Sequence, residues 1–149
     1  MNAHTRVPSV DATQQDEPGV ALGLPRSGPG ALASWGSRLA ALIIDWSAAM
    51  LVAMGIFGPG VMTGSGWRVW MPMAAFFVQK AVLTWLLGAS FGQRLMRVQV
   101  ARLDGGRLTL ATSVLRAALV CLVVPAVVVG PHRRALDDLL LNTVVLTTR

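Results

Sequence analysis

Two apolar runs of membrane length, each carrying one charge in its interior, decide most of what this chain can become. The first covers about residues 39–58 and begins inside "RLAALIIDW", residues 38–46. The second covers about residues 67–88. A helix rises 1.5 Å per residue, so about 20 residues cross a hydrocarbon core of about 30 Å. Both runs are long enough. The Gly-rich turn between them, "GPGVMTGSG", is short, which makes the two helices antiparallel neighbours. The interior charges are Asp45 and Lys80. Trp67 and Trp70 mark one interface and Trp85 approaches the other.

Composition agrees with a membrane protein. The chain is 54% apolar and only 13% charged, whereas soluble domains are about 45–50% apolar and about 25% charged. The net charge of +6 would point to nucleic acid in a soluble protein. Here the arginines flank apolar runs, so the positive-inside bias accounts for them and the bilayer is the expected partner, not nucleic acid. Cys121 is the single cysteine and sits in an apolar run, as a small buried apolar residue does. His4 and His132 do not form a metal-ligand spacing. G-x-S-x-G, H-E-x-x-H and Walker A motifs are absent. The sequence therefore predicts no enzyme, metal or cofactor.

Residues 1–33 are rich in Pro, Gly, Ser and Gln and contain no apolar core after a basic start, so they are not a signal peptide. They read as a disordered cytoplasmic tail. Its last part, "LGLPRSGPGALASW", can order against the membrane surface with Trp35 at the interface. Residues 34–149 form the membrane domain.

After the second run comes "SFGQRLMRVQVARLDGGRLTL", residues 90–110. Met96, Val98 and Val100 alternate with Arg97, Gln99 and Ala101, the period of a half-buried strand. With the "DGG" turn, this reads as an amphipathic hairpin or strand–turn–strand. Arg94, Arg97, Arg102 and Arg107 place it in the cytoplasm, and Arg26 and Arg38 place the N-terminus on the same side.

The third apolar segment, "TSVLRAALVCLVVPAVVVGPHRR", is interrupted by Arg116 and Pro125. Its uncharged run, residues 117–130, is about 21 Å long as a helix, too short for a simple span. A simple span would also put Arg133 and Arg134 outside. The terminal "TVVLTT" has strand composition. It can pair with "RVQVAR" only if both lie on one face of the membrane. The expected fold is an all-α membrane protein. It has two transmembrane helices, a third broken or re-entrant apolar helical segment, and a small cytoplasmic β element.

Ionisable groups inside membrane segments are candidates for function. Asp45 and Lys80 lie roughly 10–15 Å deep in antiparallel helices and can pair. Arg116 enters from the same face and competes for Asp45. The carboxylate then either locks the helices, serves as an ion or proton site biased by Lys80 or Arg116, or sits in a solvated cavity. Lys80 reads more readily as a snorkelling side chain than as a relay residue. Arg38 stands two turns, about 10 Å, from Asp45. It needs another acid, Asp137 or Asp138, or a lipid phosphate, or it only sets topology. If "TVVLTT" pairs with "RVQVAR", Asp138 is carried back to Arg38.

"RLAALIIDW", "SFGQRLMRVQVARLDGG" and "RRALDDLLLNTVV" together resemble the RDD family of bacterial membrane proteins, in small actinobacterial form. By this resemblance Arg38 is the family's arginine, Asp45 its first aspartate and Asp138 its second. Asp137 stands where the family usually has histidine, and Asn142 where glycine is common before Thr143. The resemblance implies a multi-pass protein of the bacterial inner membrane. Some members of the family have been linked to cation/proton exchange. The leading expectation is exchange of protons for a small cation by an oligomer; the alternative is a non-transporting accessory protein that binds or stabilises a membrane partner. The first needs polar groups converging on Asp45 in a wet cavity, and the second needs Asp45 sealed and paired.

Overall fold

The computed structural model describes residues 19–64, 66–122 and 136–149. Helix α1, Trp35–Phe57, starts at Ser34, whose hydroxyl accepts from the Ser37 amide, satisfying one orphan donor of the first turn. It ends at Gly58. A short helix α2, Gly60–Thr63, occupies the turn. A 3₁₀ segment, Gly66–Trp70, then runs into α3, Met71–Leu87. The 3₁₀ segment and α3 form one apolar stretch, 66–87, and this and α1 are both long and apolar enough to cross a membrane.

The two helices run antiparallel. Asp45 meets Lys80, the Trp46 and Phe76 rings lie 5.4 Å apart, and Phe57 and Trp67 meet edge to face at 6.0 Å. The seam is periodic. Helix α1 buries Ala41, Asp45, Ala49 and Ala53, and α3 buries Pro72, Phe76, Lys80 and Thr84. Residues four apart share one helix face, and alanines let two backbones approach closely in lipid. The opposite face of α1 is apolar and open: Leu39, Ile43, Leu51 and Ile56 are all more than half exposed. A soluble protein would not leave such a stripe in water; a bilayer covers it.

At the Leu87 end, Gly88 takes a left-handed conformation (φ 69°) and turns the chain into helix α4, Phe91–Leu95. Strand β1, Val98–Arg102, follows. Its partner is β2, Thr143–Thr147, antiparallel, with Val98 opposite Thr147 and Arg102 opposite Thr143. The expected pairing of "RVQVAR" with "TVVLTT" is present. The expected hairpin across "DGG" is not. Asp104 instead closes that turn on the Gly106 amide at 3.0 Å and on Arg102. The Arg102 guanidinium and then the Gly106 amide hold the Asp104 carboxyl down to about 2. Thr109 then caps helix α5, Leu110–Cys121, by accepting from the Thr112 amide. A capped helix competes with a strand for "RLTL", and the cap wins.

Residues before α1 complete the sheet. The amides of Gly30 and Ala33 donate to Thr147 and Val145, and the Thr147 amide donates to Ala31. A boundary at residue 33 thus cuts through hydrogen-bonded structure. The rest of the tail, residues 1–18, lies outside the described residues, as does the Pro125 region of the third segment. Ala33, Val98, Val100 and Val145 form a small core under the sheet, while Ala49, Phe76 and Val120 form another between α1, α3 and α5. The last helix, α6, covers Leu136–Leu140.

Asn142, between α6 and β2, has φ 50°. Asparagine tolerates this left-handed region better than other side chains, and glycine tolerates it best. Asn142→Gly should stay within about 0.5 kcal/mol of the parent, whereas the β-branched Asn142→Val should cost about 1–2 kcal/mol. Thermal melts in detergent decide this, and equal melts for the valine and glycine variants would contradict it.

Candidate functional site: two buried charge clusters

Asp45 is 1% exposed. Its Oδ2 accepts from Lys80 Nζ at 3.0 Å and from Ser90 Oγ at 2.5 Å, and its Oδ1 accepts from the Gly92 amide at 2.7 Å. Ser90 is the N-cap of α4, in a capping box completed by Gln93, whose Oε1 accepts from the Ser90 amide at 2.9 Å. One carboxylate on α1 therefore caps another helix, fixes its N-cap hydroxyl and neutralises a lysine on α3. The α1–α4 approach needs glycine at position 92, because a Cβ there would stand 2.0 Å from the Ala41 carbonyl oxygen. Lys80 Nζ also lies 5.5 Å from the centre of the Phe76 ring, a cation–π contact that stabilises a desolvated ammonium.

The second cluster surrounds Asp138, which is fully buried. Arg38 Nη1 donates to its Oδ2 at 2.6 Å, and Arg116 Nη1 donates to its Oδ1. Arg116 Nη1 also donates to Thr143 Oγ1 at 2.8 Å, and Arg116 Nη2 lies 3.2 Å from Asp137. Two guanidiniums and two carboxylates thus alternate as Arg38–Asp138–Arg116–Asp137. Burial pushes the Asp138 carboxyl up, but the charges of Arg116 and Arg38 outweigh it and hold the group below the usual carboxylate range. Charge-assisted arginine–carboxylate bonds of this kind are strong and directional.

Arg38, Asp45 and Asp138 do not converge on one point. Arg38 and Asp138 share the second cluster, and Asp45 belongs to the first. Of the two cations that compete for Asp45 in the sequence, Lys80 holds it and Arg116 turns to Asp137 and Asp138. Sequence reasoning missed Ser90, Gly92 and Thr143. A signal for the first two was present, since "SFGQ" has capping-box spacing. Among the described residues no three His, Cys, Asp or Glu side chains meet as a metal site would require.

A cavity of about 320 Å³ separates the two clusters, bordered by Trp35, Arg38, Leu42, Lys80, Arg116 and Asp137 among others. Buried within this region, Trp35 Nε1 and Arg38 Nη2 have no hydrogen-bond acceptor among the described residues. No curated protein and no solved structure matches the chain. The model of the RDD family, however, matches residues 32–144, a stretch that holds both clusters, and the chain belongs to that family.

Proposed function

We propose that this protein is a non-transporting accessory protein of the bacterial plasma membrane, which holds or stabilises a membrane partner or a second copy of itself. The observation that carries this reading is the saturation of Asp45. A carboxylate that moves an ion must exchange its ligands with water or substrate. Asp45 is sealed, and its two oxygens are occupied by an ammonium, a hydroxyl and a backbone amide. Its role is that of a rivet between α1, α3 and α4.

The topology proposed with it is a multi-pass chain with the N-terminus, residues 89–111 and the C-terminus in the cytoplasm. The arginines of residues 94–107 support it through the positive-inside rule. The contact of Asp138 with Arg38, at the start of α1, supports a third segment that re-enters rather than spans. A periplasmic reporter fused after Arg149 should be inactive, and activity there would restore a simple third span.

A second reading, proton exchange for a small cation, is favoured by the cavity between the clusters, because Lys80 and Asp137 border it. Ion flux in proteoliposomes separates the two. The accessory reading expects no proton movement above that of empty vesicles under sodium, potassium or calcium gradients. Flux that the parent shows and Asp45→Asn loses would overturn it in favour of exchange.

A further inference from the structure

One corner of the cavity between the two charge clusters is built from Trp35 and Arg38. Arg38 points its Nη1 at Asp138 and donates Nε to the Ala33 carbonyl at 3.4 Å, while its buried Nη2 has no acceptor among the described residues. The Arg38 side chain is only 10% exposed. Its Cζ stacks 5.8 Å from the centre of the Trp35 ring, and Trp35 Nε1 is buried and likewise without an acceptor among the described residues. Buried donors without acceptors are rare in folded proteins. Here two of them, one on a charged group, occur side by side at the first turn of a 23-residue helix, where the helix dipole is positive. The Asp137 carboxylate on the same cavity is taken by Arg116. Lys80, Gln93 and Arg116 also line the cavity, while Leu39, Leu42, Val120 and Val145 supply apolar wall, and Leu39 also faces outward, 56% exposed. A volume of about 320 Å³ falls at the small end of ligand pockets.

We propose that this corner is an oxyanion site that takes the phosphate of an anionic phospholipid, with Trp35 Nε1 and Arg38 Nη2 as donors and the apolar walls against the glycerol and the start of an acyl chain. A free phosphate has the same oxygen chemistry. The apolar walls favour the lipid, and Trp35 at the start of a membrane helix stands where headgroups lie.

The test is native mass spectrometry of the full chain in detergent, titrated with phosphatidylglycerol, with diacylglycerol as a phosphate-free amphiphile and with inorganic phosphate as competitor. Trp35→Phe keeps an aromatic ring beside Arg38 and removes only the donor. Gly36→Leu narrows the cavity from its rim; a Cβ there meets only Ser34 Oγ, at 3.9 Å, so this variant should fold. Melts without lipid should be unchanged for both. The expected result is retention of phosphatidylglycerol but not diacylglycerol, with affinity about tenfold weaker in each variant, the loss of about one charge-assisted hydrogen bond in Trp35→Phe. Displacement by inorganic phosphate at millimolar level, with the same weakening in Trp35→Phe, would assign the site to free phosphate and keep the oxyanion chemistry. Equal binding by parent and Trp35→Phe, equal retention of diacylglycerol, or no binding of either phosphate ligand by the parent would overturn the proposal and leave the corner to water.

Discussion

Gly92→Ala should leave little folded protein in the membrane. The added Cβ would stand 2.0 Å from the Ala41 oxygen and 2.9 Å from the Ala41 carbonyl carbon. These are backbone atoms in the second turn of α1, so no side chain can swing aside. Either α4 or α1 must move, and the Gly92 amide then leaves Asp45 Oδ1, which it now meets at 2.7 Å. Overpacking alone costs about 1–3 kcal/mol. A buried carboxylate that loses a backbone donor adds about another 1.5–3 kcal/mol. The sum, about 2.5–6 kcal/mol, is a large share of a domain's usual 5–15 kcal/mol. Gly55→Ala is the control. It lies in the same helix α1, with nothing within 4 Å of its added Cβ, and it should be neutral or gain about 0.5–1 kcal/mol, as glycine does inside helices. Folded yield of a fluorescent fusion and melting in detergent measure both. Comparable melts for the two variants would show that α1 and α4 can move apart at little cost.

The contrast between these two glycines shows why only part of the site was legible in the sequence. The spans could be read because apolar length is a property of one segment. The pairing of β1 with β2 could be read because "RVQVAR" and "TVVLTT" each carry strand composition and few other partners exist. The Asp45–Lys80 pair followed from depth, since both charges lie equally far from one end of antiparallel helices. The need for glycine at position 92 could not be read, because the close approach belongs to two segments about fifty residues apart and appears only once both are packed. The switch of Arg116 from Asp45 to Asp138 has the same origin: it depends on where α6 returns, and no local pattern encodes that. Helix α4 is a different case. The capping box at Ser90 and Gln93 was visible, but the period-2 alternation from Met96 onward claimed the whole stretch as strand. In the tail, residues 30–33 have a loop's composition yet exchange strand hydrogen bonds with β2; composition showed that this stretch can order but not that a sheet edge would order it.

Asp138→Asn should unfold the cluster around Asp138 at a cost of about 3–5 kcal/mol, the usual consequence of removing one partner from a buried ion pair. In the parent the two guanidiniums of Arg38 and Arg116 balance the carboxylates of Asp137 and Asp138. Asparagine keeps the shape and can still accept from Arg116 and Thr143, but it leaves one positive charge uncompensated in a dry site. Charge reversal between Arg38 and Asp138 is a poor rescue, because an arginine at 138 would face Arg116. The informative second change is Arg38→Met, which removes the surplus charge and leaves the Arg116–Asp137 pair balanced. The double variant should therefore recover more than half of the loss caused by Asp138→Asn alone, a coupling that independent sites do not show. Losses that simply add would mean that packing around Asp138, not charge balance, holds the cluster. The pH dependence gives a second readout. The folded Asp138 carboxyl lies below its unfolded value of about 3.9. Its contribution is complete above that value and is lost as pH falls through the lower folded one. The parent should thus lose stability steeply below about pH 4, and the Asp138→Asn/Arg38→Met double variant should show a shallower loss over the same range.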